Sequence, residues 1–291
     1  MKIGPDRQTF WDWRAAMNFM LGGAGSGLIL TAAVAMASGS PARFPILLGA
    51  AMVAVGLVCV WFEIGRPERF INVLRNPFTS WMSREAWAAI VLLPLAVAVF
   101  AFGLPVPAML LALAAFGFLF CQARILSASL GIPSWRLTGT CRLIVATGLA
   151  EGVALYLVLS PMVVRGGFEW ATFVLIAALV LIVARAICWW RWRSTLGRRG
   201  PRASFHAVRR IDNVFMAAGH LVPLLLIPAA WALPKLAAPL ILAAGILTLA
   251  AGWILKYQLI TRGAHTQGFA LENTPARGGG RAGPGIRPEW N

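Results

Sequence analysis

The chain has 291 residues, of which 59% are hydrophobic and 12% charged, with a mean hydropathy of +0.75. Those proportions exclude an ordinary soluble globular domain and place the chain among polytopic membrane proteins. A net charge of +16 would point a soluble protein toward nucleic acid, but here the basic residues lie between apolar runs, where lipid head groups and the insertion machinery account for them.

A spanning helix needs about 20 apolar residues. Eight segments qualify: Arg14–Ala37, Phe44–Phe62, Ala86–Gly103, Pro105–Ala128, Cys141–Ser160, Trp170–Trp190, Ile211–Leu233 and Ala237–Tyr257. The predicted fold class is all-α, a polytopic membrane protein with eight transmembrane helices grouped as two four-helix bundles. Residues 1–260 form the transmembrane domain. Residues 261–291 are a Gly-, Pro- and Arg-rich tail with no apolar period, expected to be mobile or ordered by a partner.

The first run is too long for a signal peptide ending at Ala35-Met36-Ala37, and Asp6 and Asp12 interrupt the basic region such a peptide needs. Its glycine run, Leu21–Gly27, allows another backbone to approach closely. No strand precedes it, so it is not a phosphate-binding fingerprint. Gly103 with Pro105 and Pro107 marks a tight turn between the third and fourth spans.

Between the second and third spans lies a long polar interruption, Glu63–Trp87, with Arg66, Arg69, Arg75 and Arg84 beside Glu63, Glu68 and Glu85. One reading is an ordinary basic loop that orients helices. The other is a docking surface for a partner, with Trp81 and Trp87 as aromatic anchors.

Lys and Arg residues number 22 on the side that holds this loop and both termini, and 3 (Arg43, Arg165, Lys235) on the other. By the positive-inside rule both termini are cytoplasmic, which in a bacterium means a multi-pass protein of the inner membrane. Trp11, Trp13, Trp61, Trp81, Trp135, Trp189 and Trp192 are predicted to form an aromatic belt on that side.

Ionisable groups inside a bilayer are costly and are functional candidates by default. Glu151 and His220 each lie about nine residues, or roughly 14 Å, past the cytoplasmic start of a helix, so they share a level. They read either as a proton relay or as an interhelical hydrogen bond. Nearer the surface, Arg14, Asn18, Glu63, Arg66, Arg124, Arg142, Arg185, Asp212 and Asn213 suggest a polar pocket open to the cytoplasmic leaflet.

His206 and His220 are 14 residues apart, roughly 21 Å if they share one helix, and His265 lies in the tail. No pair suits a haem. Cys59, Cys121, Cys141 and Cys188 show no C-x-x-C spacing and read as small buried hydrophobes. The expectation is no haem and no iron–sulfur cluster in this chain.

Trp11–Leu30, WDWRAAMNFMLGGAGSGLIL, resembles the opening helix of NrfD-type membrane subunits. EIGRPERFINVLRNPFTSWMSREAW resembles the LGRP-x-RF…SW-x-SRE loop of the NrfD, polysulfide reductase and DMSO reductase anchor (DmsC-like) families, and IPSWRLTGT (Ile132–Thr140) resembles the loop before their fifth helix. The resemblance implies a haem-free anchor for a molybdopterin catalytic subunit and a four-cluster ferredoxin-like iron–sulfur subunit, exchanging electrons with menaquinone or ubiquinone.

It places the quinone near Asn18, and we take Arg14, Asn18 and Glu63 as the quinone-binding set. Many relatives carry a His or Tyr nearby; here Met17 and Phe19 flank Asn18. Glu151 and His220 are the proton-relay candidates, and Arg66, Arg69, Arg75, Trp81 and Arg84 the docking residues. The loop is most similar to that of phenylacetyl-CoA:acceptor oxidoreductase anchors, which implies a cytoplasmic acyl-CoA substrate for the partner. Two other functions fit the residues: a secondary transporter coupled through Glu151 and His220, and a passive membrane scaffold. The sequence does not distinguish the partner's substrate, the quinone or the direction of electron flow.

Overall fold

A computed structural model describes residues 2–3, 6–40, 42–163, 168–266, 269–271 and 286–288. Arg165 and tail residues 267–268, 272–285 and 289–291 lie outside the described residues. The spans are α1 (Trp13–Ala37), α2 (Arg43–Trp61), α3 (Trp81–Phe102), α4 (Pro105–Ser127), α5 (Thr140–Val163) and α6 (Phe168–Arg199). A short α7 (Arg202–Arg209) follows. The seventh span is α8 (Asp212–Met216), a π-helical turn (Ala217–Leu221) and α9 (Val222–Ala232); the eighth is α10 (Ala237–Tyr257), which runs into a second π turn (Gln258–Arg262). Eight helices are long and apolar enough to cross a membrane, as the hydropathy predicts.

Local chemistry sets the helix ends. The Asp12 carboxylate accepts from the Arg14 amide and starts α1; the Ser80 hydroxyl accepts from the Ser83 amide and starts α3. Gly103 ends α3 at φ +65°, a conformation a side chain disfavours, and Pro105 opens α4.

Two boundaries differ from the prediction. α3 begins at Trp81 rather than Ala86, because Ser80 caps it, so Trp81, Arg84 and Glu85 stand on a helix and not in a loop. α6 runs nine residues past Trp190, because Trp192 and Leu196 continue its buried stripe beyond the apolar segment. The polar interruption itself contains a 3₁₀ segment, Pro67–Arg75.

α1 and α5 form the centre. In their most apolar windows 78% and 72% of residues are buried, against 28–44% in the other spans. Glycines make this possible. A Cβ on Gly152 of α5 would overlap the backbone of Gly27 on α1, and a Cβ on Gly25 would lie 2.6 Å from the Gly49 carbonyl of α2. The glycine run therefore serves close helix packing, as expected from sequence. α1 packs on α2, α4 and α5; α3 packs on α2 and α4; α10 packs on α5 and α9.

The predicted aromatic belt needs correction. Trp135, Trp189 and Trp192 are buried, and each indole N–H has an internal acceptor: the Leu259 carbonyl at 2.9 Å, Asp212 Oδ1 at 2.9 Å and Thr140 Oγ1 at 2.8 Å. A satisfied N–H removes the reason for an indole to stay at the water interface. Trp13 and Trp61 remain exposed.

The two chain ends meet. The Gln8 amide donates to the Ala264 carbonyl and the Thr266 amide to the Asp6 carbonyl, and Arg7 bridges His265. A small antiparallel sheet joins β1 (Lys2–Ile3), β2 (Phe269–Leu271) and β3 (Ile286–Pro288) in that order. Both ends therefore lie on one face of the bundle, as an even number of spans requires.

Candidate functional site

The first polar cluster sits where α1 begins, α2 ends and α3 begins. Arg14 bonds Asp12 through Nε and donates through Nη1 to the Phe62 carbonyl at 2.7 Å, tying the start of α1 to the end of α2. The Arg14 guanidinium holds the Asp12 carboxyl below its ordinary range. Glu63 is half-buried beside this pair. Burial, followed by the charge of Asp12, pushes its carboxyl above the usual value, and Arg14 pulls the other way.

One helical turn deeper, Asn18 is buried, and its Nδ2 donates to Glu85 Oε1 at 3.3 Å. Gln122 of α4 donates to the Asn18 carbonyl at 3.0 Å and lies within hydrogen-bonding reach of Glu85. Gly56 of α2 covers Asn18, and Gly22 leaves room for the Gln122 amide, which a Cβ there would strike. Asn18 Oδ1, Gln122 Oε1 and Glu63 Oε1 are buried acceptors with no hydrogen-bond partner among the described residues. Buried polar atoms are normally satisfied, so three unpaired acceptors in one region call for a further donor such as a water or a ligand.

The second cluster lies on α5, α6, α10 and the first π turn. Glu151 Oε2 accepts from Lys256 Nζ, and both side chains are fully buried. Arg185 donates to His220 Nε2 at 3.1 Å, to the Thr248 carbonyl at 2.9 Å and to the Gly219 carbonyl at 2.6 Å. His220 Nδ1 meets the Phe215 carbonyl at 2.8 Å, so Nδ1 carries the proton and Nε2 accepts. Gly219 lies in the π turn, and Pro223, four residues on, has no N–H to offer its carbonyl, which accepts from Arg185 instead. Gly23 and Gly252 leave the space that the Lys256 and Glu151 head groups fill.

Glu151 and His220 therefore do not bond to each other: Lys256 is the partner of one and Arg185 of the other. His206 stands on α7, separate from the helix of His220. The two His therefore do not share one helical axis: the chain breaks between α7 and α8 at Arg210–Ile211.

The five docking candidates divide. Arg84 donates to the Pro77 and Phe78 carbonyls, both at 2.7 Å, and its guanidinium lies 4.1 Å from the Trp81 ring. Trp81 also packs edge-on against Phe120 at 5.8 Å. These two residues shape the loop from inside. Arg66, Arg69 and Arg75 point outward, next to exposed Phe70, Ile71 and Phe78, the last 91% exposed.

Sequence reading left three members of the clusters without a site role. Glu85 was grouped with the surface charges of the loop. Gln122, uncharged, drew no notice inside an apolar span. Lys256 was counted with the basic tail. An amide within a hydrophobic run and a lysine that precedes the end of one were the available signals.

Residues 2–108 match the family NrfD, polysulphide reductase. The match takes in the first three spans, the basic loop and every residue of the first cluster except Gln122. No curated protein matches the chain.

Proposed function

We propose that this chain, an NrfD-like multi-pass membrane protein, is the quinone-reactive anchor of a molybdopterin oxidoreductase complex. Subunits of its family work with iron–sulfur and molybdopterin subunits and interact with quinone. The observation that supports the quinone assignment is the buried set Asn18, Glu85, Gln122 and Glu63 near the chain-end face: the Asn18 amide can donate to a quinone carbonyl, and the spare acceptors can take the hydroxyl hydrogens of the quinol.

A quinone is the substrate here. Its reduction takes up two electrons, from the partner's clusters, and two protons. Its carbonyl oxygens need donors, and the developing charge needs a proton source. Asn18 Nδ2 supplies a neutral donor at the right depth. Arg14 steadies the mouth of the pocket. Glu63, half-buried and holding its proton more tightly than a free glutamate, is the proton donor toward water.

Glu85, hydrogen-bonded to amides, backs Asn18 and can hand on the second proton. Glu151 and His220, with Lys256 and Arg185 between them, form a deeper reserve. Arg66, Arg69 and Arg75 dock the iron–sulfur subunit above this pocket. The basic bias supports cytoplasmic termini in a bacterial inner membrane, and hence a cytoplasmic acyl-CoA thioester, such as phenylacetyl-CoA, as the catalytic partner's substrate.

The test is electron transfer in the purified complex. Asn18→Leu and Glu63→Gln should impair quinone-linked turnover and leave dye-linked turnover unchanged. Normal quinone turnover in both variants, with loss in Glu151→Gln, would move the site to the second cluster.

A further inference from the structure

α6 leaves the apolar zone at Trp189 and continues as a helix to Arg199, so its last ten residues stand at head-group level. One face of that extension is occupied. Trp192 donates to Thr140 at the start of α5, and Arg193 pairs with Asp212 at 2.8 Å. The other face lines a groove of ≈ 590 Å³ against the first turn of α5 and the turn before it.

The groove has two zones. Arg142, Arg191 and Arg198 line one, with the hydroxyls of Ser194 and Thr195 among them. Arg191 and Arg198 are seven residues apart, two turns of one helix, so they share a face about 10 Å apart. None of the three arginines forms an ion pair among the described residues, and no carboxylate lines the groove. The other zone is apolar: Ile187 and Trp190 are exposed on the membrane-facing surface of α6.

We propose that this groove binds one anionic phospholipid, its phosphate held by Arg142, Arg191 and Arg198 and its acyl chains laid along Ile187 and Trp190. Unpaired guanidiniums call for phosphate oxygens, which they bind bidentately. An apolar wall continuous with the bilayer face calls for a ligand that carries chains. Inorganic phosphate shares the first chemistry and lacks the second.

The site is tested on the full-length protein in nanodiscs containing phosphatidylcholine with a minority of phosphatidylglycerol, by native mass spectrometry of the lipids retained. The wild type should retain phosphatidylglycerol over phosphatidylcholine, and each Arg→Gln change at 142, 191 or 198 should weaken retention roughly fivefold. All three side chains are exposed, so the changes leave the core intact; an unchanged melting profile checks this, and Arg→Lys at the same positions, which keeps the charge but not the bidentate fork, should restore only part of the binding.

The triple change Arg202→Gln, Arg209→Gln and Arg210→Gln removes three charges at the same end, more than any single groove variant but away from the groove, and should retain the lipid. Equal loss in that control would mean diffuse attraction to a basic face and overturn the site. Displacement of the lipid by millimolar inorganic phosphate would make it a free-anion site and overturn the lipid assignment.

Discussion

The two polar clusters differ in how they meet their charge. The first, around Asn18 and Glu85, lies near the face that holds both chain ends and leaves acceptors unpaired. The second also leaves Glu151 Oε1 and Thr248 Oγ1 unpaired among the described residues, but there each buried cation has a partner: Lys256 the Glu151 carboxylate, and Arg185 His220 and two backbone carbonyls. A cluster that meets its own charge needs no ligand to be stable. One whose Glu85 carboxyl meets a neutral amide and no cation is the better candidate for a substrate that arrives and departs. Both clusters rely on glycines of α1: Gly22 admits Gln122, and Gly23 admits Lys256.

The sharpest way to break this contrast is to remove one partner of the buried pair. Glu151→Leu leaves Lys256 without its counter-charge and should cost about 3–5 kcal/mol of stability, whereas Glu151→Leu with Lys256→Met should recover most of it. Thermal unfolding in detergent measures both. If the single variant is as stable as the wild type, the pair is not a structural ion pair and belongs with the functional groups.

Asn18→Leu and Glu85→Gln probe the other cluster. Each should lower quinone-linked turnover about 100-fold with little change in unfolding temperature. A large fall in stability with turnover per folded complex unchanged would make this cluster structural as well.

Charge reversal at Arg69 and Arg75 should weaken retention of the soluble subunits about tenfold and make their remaining binding less sensitive to salt. Arg84 serves as the contrast, since its guanidinium is spent on the Pro77 and Phe78 carbonyls. Arg84→Gln should disturb the loop itself, read as faster proteolysis between residues 66 and 80.

The pH profile gives a finer test. Burial raises the Glu63 carboxyl, so it keeps its proton to a higher pH than a free glutamate does. As proton donor it makes turnover fall as pH rises through that raised value. Glu63→Gln should remove this limb from the profile of quinone reduction and leave the dye-linked profile in place.

The smallest effect is expected at the cap of α1, where Asp12→Ala should cost about 1 kcal/mol and loosen the Arg14 tie to Phe62.

The eight spans, the even topology and the close packing of α1 were legible in the chain, because bilayer thickness fixes span length and only glycine permits such an approach. The Glu63–Trp87 loop was legible by its composition and by its resemblance to a family that residues 2–108 then match. What the sequence did not hold was the partner of each buried polar group. Glu151 with Lys256, separated by 105 positions, and Arg185 with His220, separated by 35, depend on which helix faces which. Hydropathy measures how deep a residue can sit; only helix packing decides what it meets there. For the same reason Trp135, Trp189 and Trp192, which composition assigned to the membrane surface, belong to the interior, where the fold provides each N–H with an acceptor.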